Sequence, residues 1–397
     1  MNLRWSGVAQ TCLFIFVGLN GILELFGIPT AVTKFLLLGV VIGIFFLYGL
    51  QNKFTINMQL VLLFTTILLL SYAHISSSSS IVLAVSLFQV LSPLLLYYLL
   101  ESLMTYSSRV ISKRILIFWL TLQILGALIK LFVIGQNEGQ GIGTVSVQAG
   151  AVSVYIVVAF CLSAIVLNIN KKTAILLLGL ALLFALINEK RIGILIVGLF
   201  AYLIFSRGHN FQVKSTRYFV AIPLAVGILY VGSVAIPSLL DGSSVLQFGD
   251  RISTYLLMVN EDGTAVGRFA GLIQTISNLE GYGQLLFGNG PSMYLSSSVV
   301  GLTNNTGLGF NAIGSSILIG RFGFFGLFVM VGLMIFLLKR QRGRAGRFLV
   351  LFMMFDIMVY SAGFFLSYLG VYILLLFRSI EMNGSTHSDN HPKSQRS

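Results

Sequence analysis

Residues 312–338 read AIGSSILIGRFGFFGLFVMVGLMIFLL, and KRQRGRAGR (339–347) follows at once. The first stretch is 27 residues long and carries one charge, Arg321. About 20 consecutive apolar residues suffice to cross the hydrocarbon of a bilayer as a helix. The basic run that ends it matches the excess of Lys and Arg on the cytoplasmic side of membrane helices. One segment therefore predicts both a spanning helix and its direction, with residue 312 outside and Lys339 inside.

The same pattern extends outward. Further apolar runs fall at about 7–27, 31–50, 57–73, 81–100, 115–134, 148–168, 173–187, 192–206 and 218–236, and a last one covers about 348–378. Ser361-Ala362-Gly363 offers a break in that last run, so it is read as two helices. The expectation is an all-α polytopic membrane protein with about 12 transmembrane helices. Its parts are helices 1–9 in 1–236, a large outer loop in 237–311, helices 10–12 in 312–380 and a disordered cytoplasmic tail in 381–397. Hydrophobic residues make up 56% of the 397 and charged ones only 9%. A soluble domain carries about 25% charged residues, which leaves too few here to cover a globule.

The net charge of +13 would suggest a nucleic-acid partner in a soluble protein. Here the basic residues sit between apolar runs, and no nucleic acid is expected. With the N-terminus inside, Lys53, Arg109, Lys113, Arg114, Lys171, Lys172, Arg207, Lys214 and Arg217 join the 339–347 cluster on the cytoplasmic side. The opposite connections, 74–80, 135–150 and 237–311, are mostly neutral or acidic. The last holds five of the chain's twelve acids, Asp241, Asp250, Glu261, Asp262 and Glu280. Phe269, Leu272, Ile273 and Ile276 have helical spacing there and precede Gly288-Asn289-Gly290-Pro291, which argues for an ordered subdomain. Cys12 and Cys161 lie in apolar runs and read as core residues. Gly39 and Gly43 form a GxxxG pattern, which predicts close helix packing.

Several chemistries are missing from the sequence. There is no Walker-A loop, no His/Cys/acid cluster with metal-ligand spacing, and neither His nor Cys in 237–311. No metal and no cofactor is expected. The residues that need a reason are basic ones on the outer side: Lys190 and Arg191 after Glu189, Arg251 and Arg268 in the loop, and Arg321 near the outer end of its span. Lipid headgroups or snorkelling explain a single such residue, and Lys34 and Lys130 are read that way. For the group, an anionic ligand at the outer leaflet is the sharper reading, because guanidinium forks bind phosphate oxygens. Asp356 lies inside a span. A hydrogen-bonded partner in the bundle is its simpler explanation, and a proton or ion site the other.

Three motifs carry a resemblance over roughly 185–335. They are Asn188-Glu189-Lys190-Arg191 before an apolar helix, Gly267-Arg268-Phe269 leading to Leu286-Phe287-Gly288-Asn289-Gly290-Pro291, and Gly320-Arg321-Phe322-Gly323-Phe324-Phe325-Gly326-Leu327. In order and spacing the chain resembles the O-antigen polymerase and O-antigen ligase family of bacterial surface-polysaccharide assembly. The resemblance implies a GT-C-like glycosyltransferase of the bacterial inner membrane, acting at its periplasmic face on undecaprenyl-diphosphate-linked glycans. Membrane lipids, a chain-length regulator and a flippase are the implied partners. Ligases of the family carry a His-Asn pair about ten residues before the glycine signature. Gly309-Phe310-Asn311-Ala312-Ile313 has no His, so the resemblance points to a polymerase. Arg321 stands where the family has an acid, and that acid's role is not carried over. On this reading Arg191 and Arg268 are the catalytic candidates, with Glu189 first among the carboxylates as base. Lys190, Arg321, Arg251 and Asn289 are the candidate substrate contacts.

Overall fold

A computed structural model describes residues 11–28, 30–51, 92–101, 113–132, 144, 152–167, 171–187, 191–205, 272, 275–276, 279, 281–290, 313–341, 343–360 and 368–388. All regular structure among them is helical. A short π-helical turn, Phe14–Gly18, leads into α1 (Asn20–Leu25) and α2 (Thr30–Gln51). Then come α3 (92–101), α4 (Lys113–Phe132), α5 (Ser153–Val166), α6 (Lys171–Ile187) and α7 (Arg191–Phe205). The short α8 (Gly281–Phe287) precedes α9 (Gly314–Arg340) and α10 (Arg344–Phe355). The latter runs into a second π-helical turn, Asp356–Tyr360, and α11 (Leu369–Ser388) is the last described element.

Two helices form the centre. Residues 153–164 of α5 and 369–377 of α11 are buried without interruption. Both are apolar all round, as a helix enclosed by others must be. The links between α5, α6 and α7 are four and three residues long, so these helices run back and forth against one another. T-shaped ring pairs lock the layers: Tyr155 on Phe352, Phe200 on Phe348 and Trp119 on Tyr372, with centroids 5.1, 5.0 and 5.5 Å apart. The outer helices bury one face and expose large apolar residues on the other. Phe35, Leu36, Phe118, Leu125, Leu176, Leu183, Ile194 and Phe328 are all exposed.

The π-helical turn at 14–18 takes the Gly18 carbonyl out of regular helical pairing, and the chain satisfies it from elsewhere. Thr144 Oγ1 donates to it at 2.6 Å, while Gln123 Nε2 donates to Thr144 Oγ1 at 2.7 Å. The Thr144 N–H donates to Gln123 Oε1 at 3.0 Å, and the Gly21 N–H to the Thr144 carbonyl at 2.7 Å. Thr144, from the stretch expected as an outer loop, is thus buried in the bundle.

Four expectations are corrected or limited. Of about a dozen expected spans, one among the described residues, Gly314–Arg340, is long and apolar enough to cross a membrane by length and composition. Among the described residues, Gly39 and Gly43 meet nothing within 4 Å of an added Cβ, so the close helix contact expected there is not made among them. The tail expected to be disordered from 381 continues as helix to Ser388. A nucleated helix extends by one hydrogen bond per residue, so polarity marks where packing stops and not where helix stops. The expected span at 218–236 and most of the loop 237–311 lie outside the described residues.

Candidate functional site

The long helix α9 is broken in its third turn. Gly323 has φ 65° and ψ −169°, a conformation essentially reserved for glycine. The break takes from the Gly320 carbonyl its ordinary donor, the N–H four residues on. The N–H of Asn289 replaces it at 2.7 Å. Two glycines make this contact possible. A Cβ on Gly288 (φ 80°) would lie 2.5 Å from the Arg321 carbonyl carbon and 2.6 Å from its oxygen. A Cβ on Gly323 would fall on the Leu286 carbonyl. Backbone therefore rests on backbone, and Phe287 and Phe325 close the edge with ring centroids 6.3 Å apart. Residues 286–290 and 320–323, the cores of two motifs singled out in the sequence, form one clasp.

Arg321 sits inside the clasp with 0% of its surface exposed. Leu272 and Ile276 pack against the core, and Thr275 and Leu279 are buried, so the predicted amphipathic stretch before the clasp is partly realised. At the start of α9, Ser315 Oγ donates to the carbonyl of Met358, in the second π-helical turn, at 3.0 Å. Tyr155 Oη donates to Asp356 Oδ2 at 2.8 Å, and both groups are buried. Asp356 thus has the hydrogen-bonded partner that the simpler reading required. Replacing Tyr155 with phenylalanine removes a donor to a buried carboxyl. The expected cost is about 1–2 kcal/mol, read as a lower melting temperature of the purified chain.

The opposite end of the bundle is basic. Glu101, 2% exposed, meets Arg340 Nε at 3.0 Å and also contacts Arg378 Nη1. Arg378 Nη1 and Gln341 Nε2 both donate to Tyr97 Oη, at 2.6 and 2.7 Å. The ends of α3 and α9 and the middle of α11 therefore lie at one level. Since α9 runs from the clasp to this basic end, α10 must run back, and the Phe200–Phe348 contact places the far part of α7 near the start of α10. The N-terminus of α7, which is Arg191, consequently opens toward the clasp end.

The candidates divide as follows. Arg191 opens α7, but its side chain, together with Glu189, Lys190, Arg251 and Arg268, lies outside the described residues. Arg321 and Asn289 are brought together, the first buried and the second exposed with its N–H on Gly320. No group of three or more His, Cys, Asp or Glu residues able to hold a metal occurs among the described residues. Lys34 places its Nζ 5.6 Å from the centre of the Tyr368 ring, which makes it a cation–π partner rather than a mere snorkelling residue. The sequence reading passed over Glu101. An acid ending an apolar run, three residues after Tyr98, was the available signal. Comparison with family models, with curated proteins and with solved structures finds no match for this chain.

Proposed function

We propose that this chain is a multi-spanning membrane glycosyltransferase that polymerises undecaprenyl-diphosphate-linked repeat units into a surface polysaccharide. The clasp carries the reading: two stretches chosen for their resemblance to one family, more than thirty residues apart, meet backbone to backbone around a buried arginine. Support for the membrane setting comes from the exterior. Large apolar side chains are exposed along α2, α4, α6, α7 and α9, a surface that water disfavours and lipid tails do not. The union of Glu101, Arg340 and Arg378 agrees with an orientation that puts all three on the cytoplasmic side.

In this reading the growing chain is linked through its first sugar to the carrier diphosphate. The acceptor hydroxyl of a new unit attacks that anomeric carbon. The carbon–oxygen bond to the diphosphate breaks, a glycosidic bond forms, and undecaprenyl diphosphate leaves. The hydroxyl proton passes to a carboxylate, with Glu189 preferred over Asp250, Glu261, Asp262 and Glu280. Arg191 and Arg268 hold the diphosphate and stabilise the charge that develops as it departs. The sugar–diphosphate bond supplies the driving force, so no nucleotide is used. Lys190, Arg251 and Asn289 are proposed substrate contacts, and Arg321 holds the clasp from inside.

Arg191→Ala and Arg268→Ala are each expected to lower the polymerisation rate about 10²–10³-fold, the usual cost of losing one placed electrostatic stabiliser. The readout is polymer length on the cell surface, with equal amounts of inserted protein. Normal length from both variants removes the mechanism. A flippase for lipid-linked oligosaccharides is the second reading, favoured by the break in α9, since transporters build their sites at discontinuous helices. Deletion separates the two. A polymerase deletion leaves single-repeat surface glycans, whereas a flippase deletion leaves none.

A further inference from the structure

Along α9, Phe328, Gly332, Ile335 and Lys339 recur at steps of four, three and four, which places them on one face of the helix. All four are exposed, Phe328 by 69%. Gly332 is exposed, and no atom of the described residues lies within 4 Å of an added Cβ there. The face is therefore an apolar stripe with a notch in it, and it ends on a lysine.

The turn beyond that lysine is rigid. The Gln341 N–H donates to the Leu338 carbonyl at 3.2 Å, Arg347 Nε to the Gln341 carbonyl at 2.8 Å, and Gln341 Nε2 to Tyr97 Oη at 2.7 Å. Basic groups are thus held in place on both sides of it. Lys339 and Arg340 close α9, where the helix dipole favours cations. Arg344 and Arg347 open α10, where the dipole disfavours them, so their position needs another reason. Of the basic groups at this end, Arg340 and Arg378 meet the carboxylate of Glu101, while Lys339 and Arg344 are exposed. Arg340 keeps 37% of its side chain exposed.

We propose that this end of α9 binds an anionic phospholipid, its phosphate on Lys339, Arg340 and Arg344 and one acyl chain along the Phe328–Ile335 stripe. A free anion would have no use for the stripe, and a neutral lipid none for the charge. Guanidinium and ammonium groups beside an apolar surface match a negatively charged amphiphile. The inference rests on the membrane setting proposed above but not on the transferase activity.

The test uses the full chain in nanodiscs of phosphatidylcholine with increasing phosphatidylglycerol, lipids retained being counted by native mass spectrometry. Phosphatidylglycerol is expected to be retained at least tenfold over phosphatidylcholine. Lys339→Gln combined with Arg344→Gln, which leaves the Glu101 pairs intact, is expected to lower that preference about tenfold to thirtyfold. Gly332→Phe fills the notch and is expected to weaken retention without changing any charge. Equal retention of the two lipids, or an unchanged preference in the double variant, overturns the proposal. So does displacement of the lipid by inorganic phosphate at equal concentration, which would mean a free-anion site. Should the variants fail to fold, the wild-type melting temperature decides: a rise with phosphatidylglycerol alone supports the site, and no difference between lipids refutes it. A chain that extracts without detergent refutes the membrane setting instead.

Discussion

Gly323→Val is expected to open the clasp and abolish polymer synthesis. Two costs combine at this position. Valine at φ 65°, ψ −169° is strained by about 1–3 kcal/mol. Its Cβ would also fall on the Leu286 carbonyl. Overpacking of this kind costs about 1–3 kcal/mol more, and here the neighbour is backbone, which cannot rotate aside as a side chain could. Together the two costs, about 2–6 kcal/mol, exceed what the Asn289–Gly320 hydrogen bond, about 1 kcal/mol, can hold. The 281–290 segment should detach while the rest of the bundle keeps its packing. Proteolysis within 281–290 should quicken by two orders of magnitude or more, and polymer should fall to single repeats. Gly288→Val should behave alike, because its Cβ lies 2.5 Å from the Arg321 backbone. Gly198→Ala is the control. It sits in α7 with open space around it, and should be neutral or stabilising by about 0.5–1 kcal/mol. Wild-type proteolysis and wild-type polymer from Gly323→Val would show that the clasp matters to neither.

The helices were legible because each depends on a local signal. Apolar runs at 31–50, 115–134, 173–187, 192–206 and 312–338 became α2, α4, α6, α7 and α9 within a few residues. The division of 348–378 into two helical segments followed from one small-residue break, although residues 361–367 themselves lie outside the described part. What could not be read is which glycine does what. Gly320, Gly323 and Gly326 are equally spaced, yet only Gly323 takes a positive φ. The reason lies in Leu286 and Gly288, more than thirty residues earlier, and no periodicity within α9 reports it. Gly39 and Gly43 show the same limit from the other side: the spacing is that of a tight contact, but nothing among the described residues fills it. Asp356 was found as an anomaly, while its partner Tyr155, 201 residues away, had no sequence mark of its own. Of the arginines that suggested a phosphate ligand, the side chain of Arg321 alone lies among the described residues.

Glu101→Gln is expected to be the most destabilising change at the basic end, at about 2–4 kcal/mol. Breaking a buried ion pair by removing one partner costs about 3–5 kcal/mol, because the other charge is left without compensation. The lower range applies here because Arg340 is 37% exposed and can turn to solvent. Arg378 is 20% exposed and has less freedom, so most of the loss should fall on it. The order of the single variants follows from this: Glu101→Gln worst, Arg378→Gln next, Arg340→Gln mildest. The mildest change still leaves Glu101 paired. Combining Glu101→Gln with Arg378→Gln should cost less than the two changes added together, by about 0.5–3 kcal/mol, as residues in one network do. Melting of the purified variants measures each value. Added salt should change them little, since the shared carboxylate oxygen is buried and screening acts mainly on exposed charges. The carboxylate joins α3, α9 and α11, three helices distant in sequence. Its loss should therefore reduce the cooperativity of unfolding as well as the midpoint. Additive costs, with a transition as sharp as that of the wild type, would mean that the two arginines hold their helices independently of Glu101.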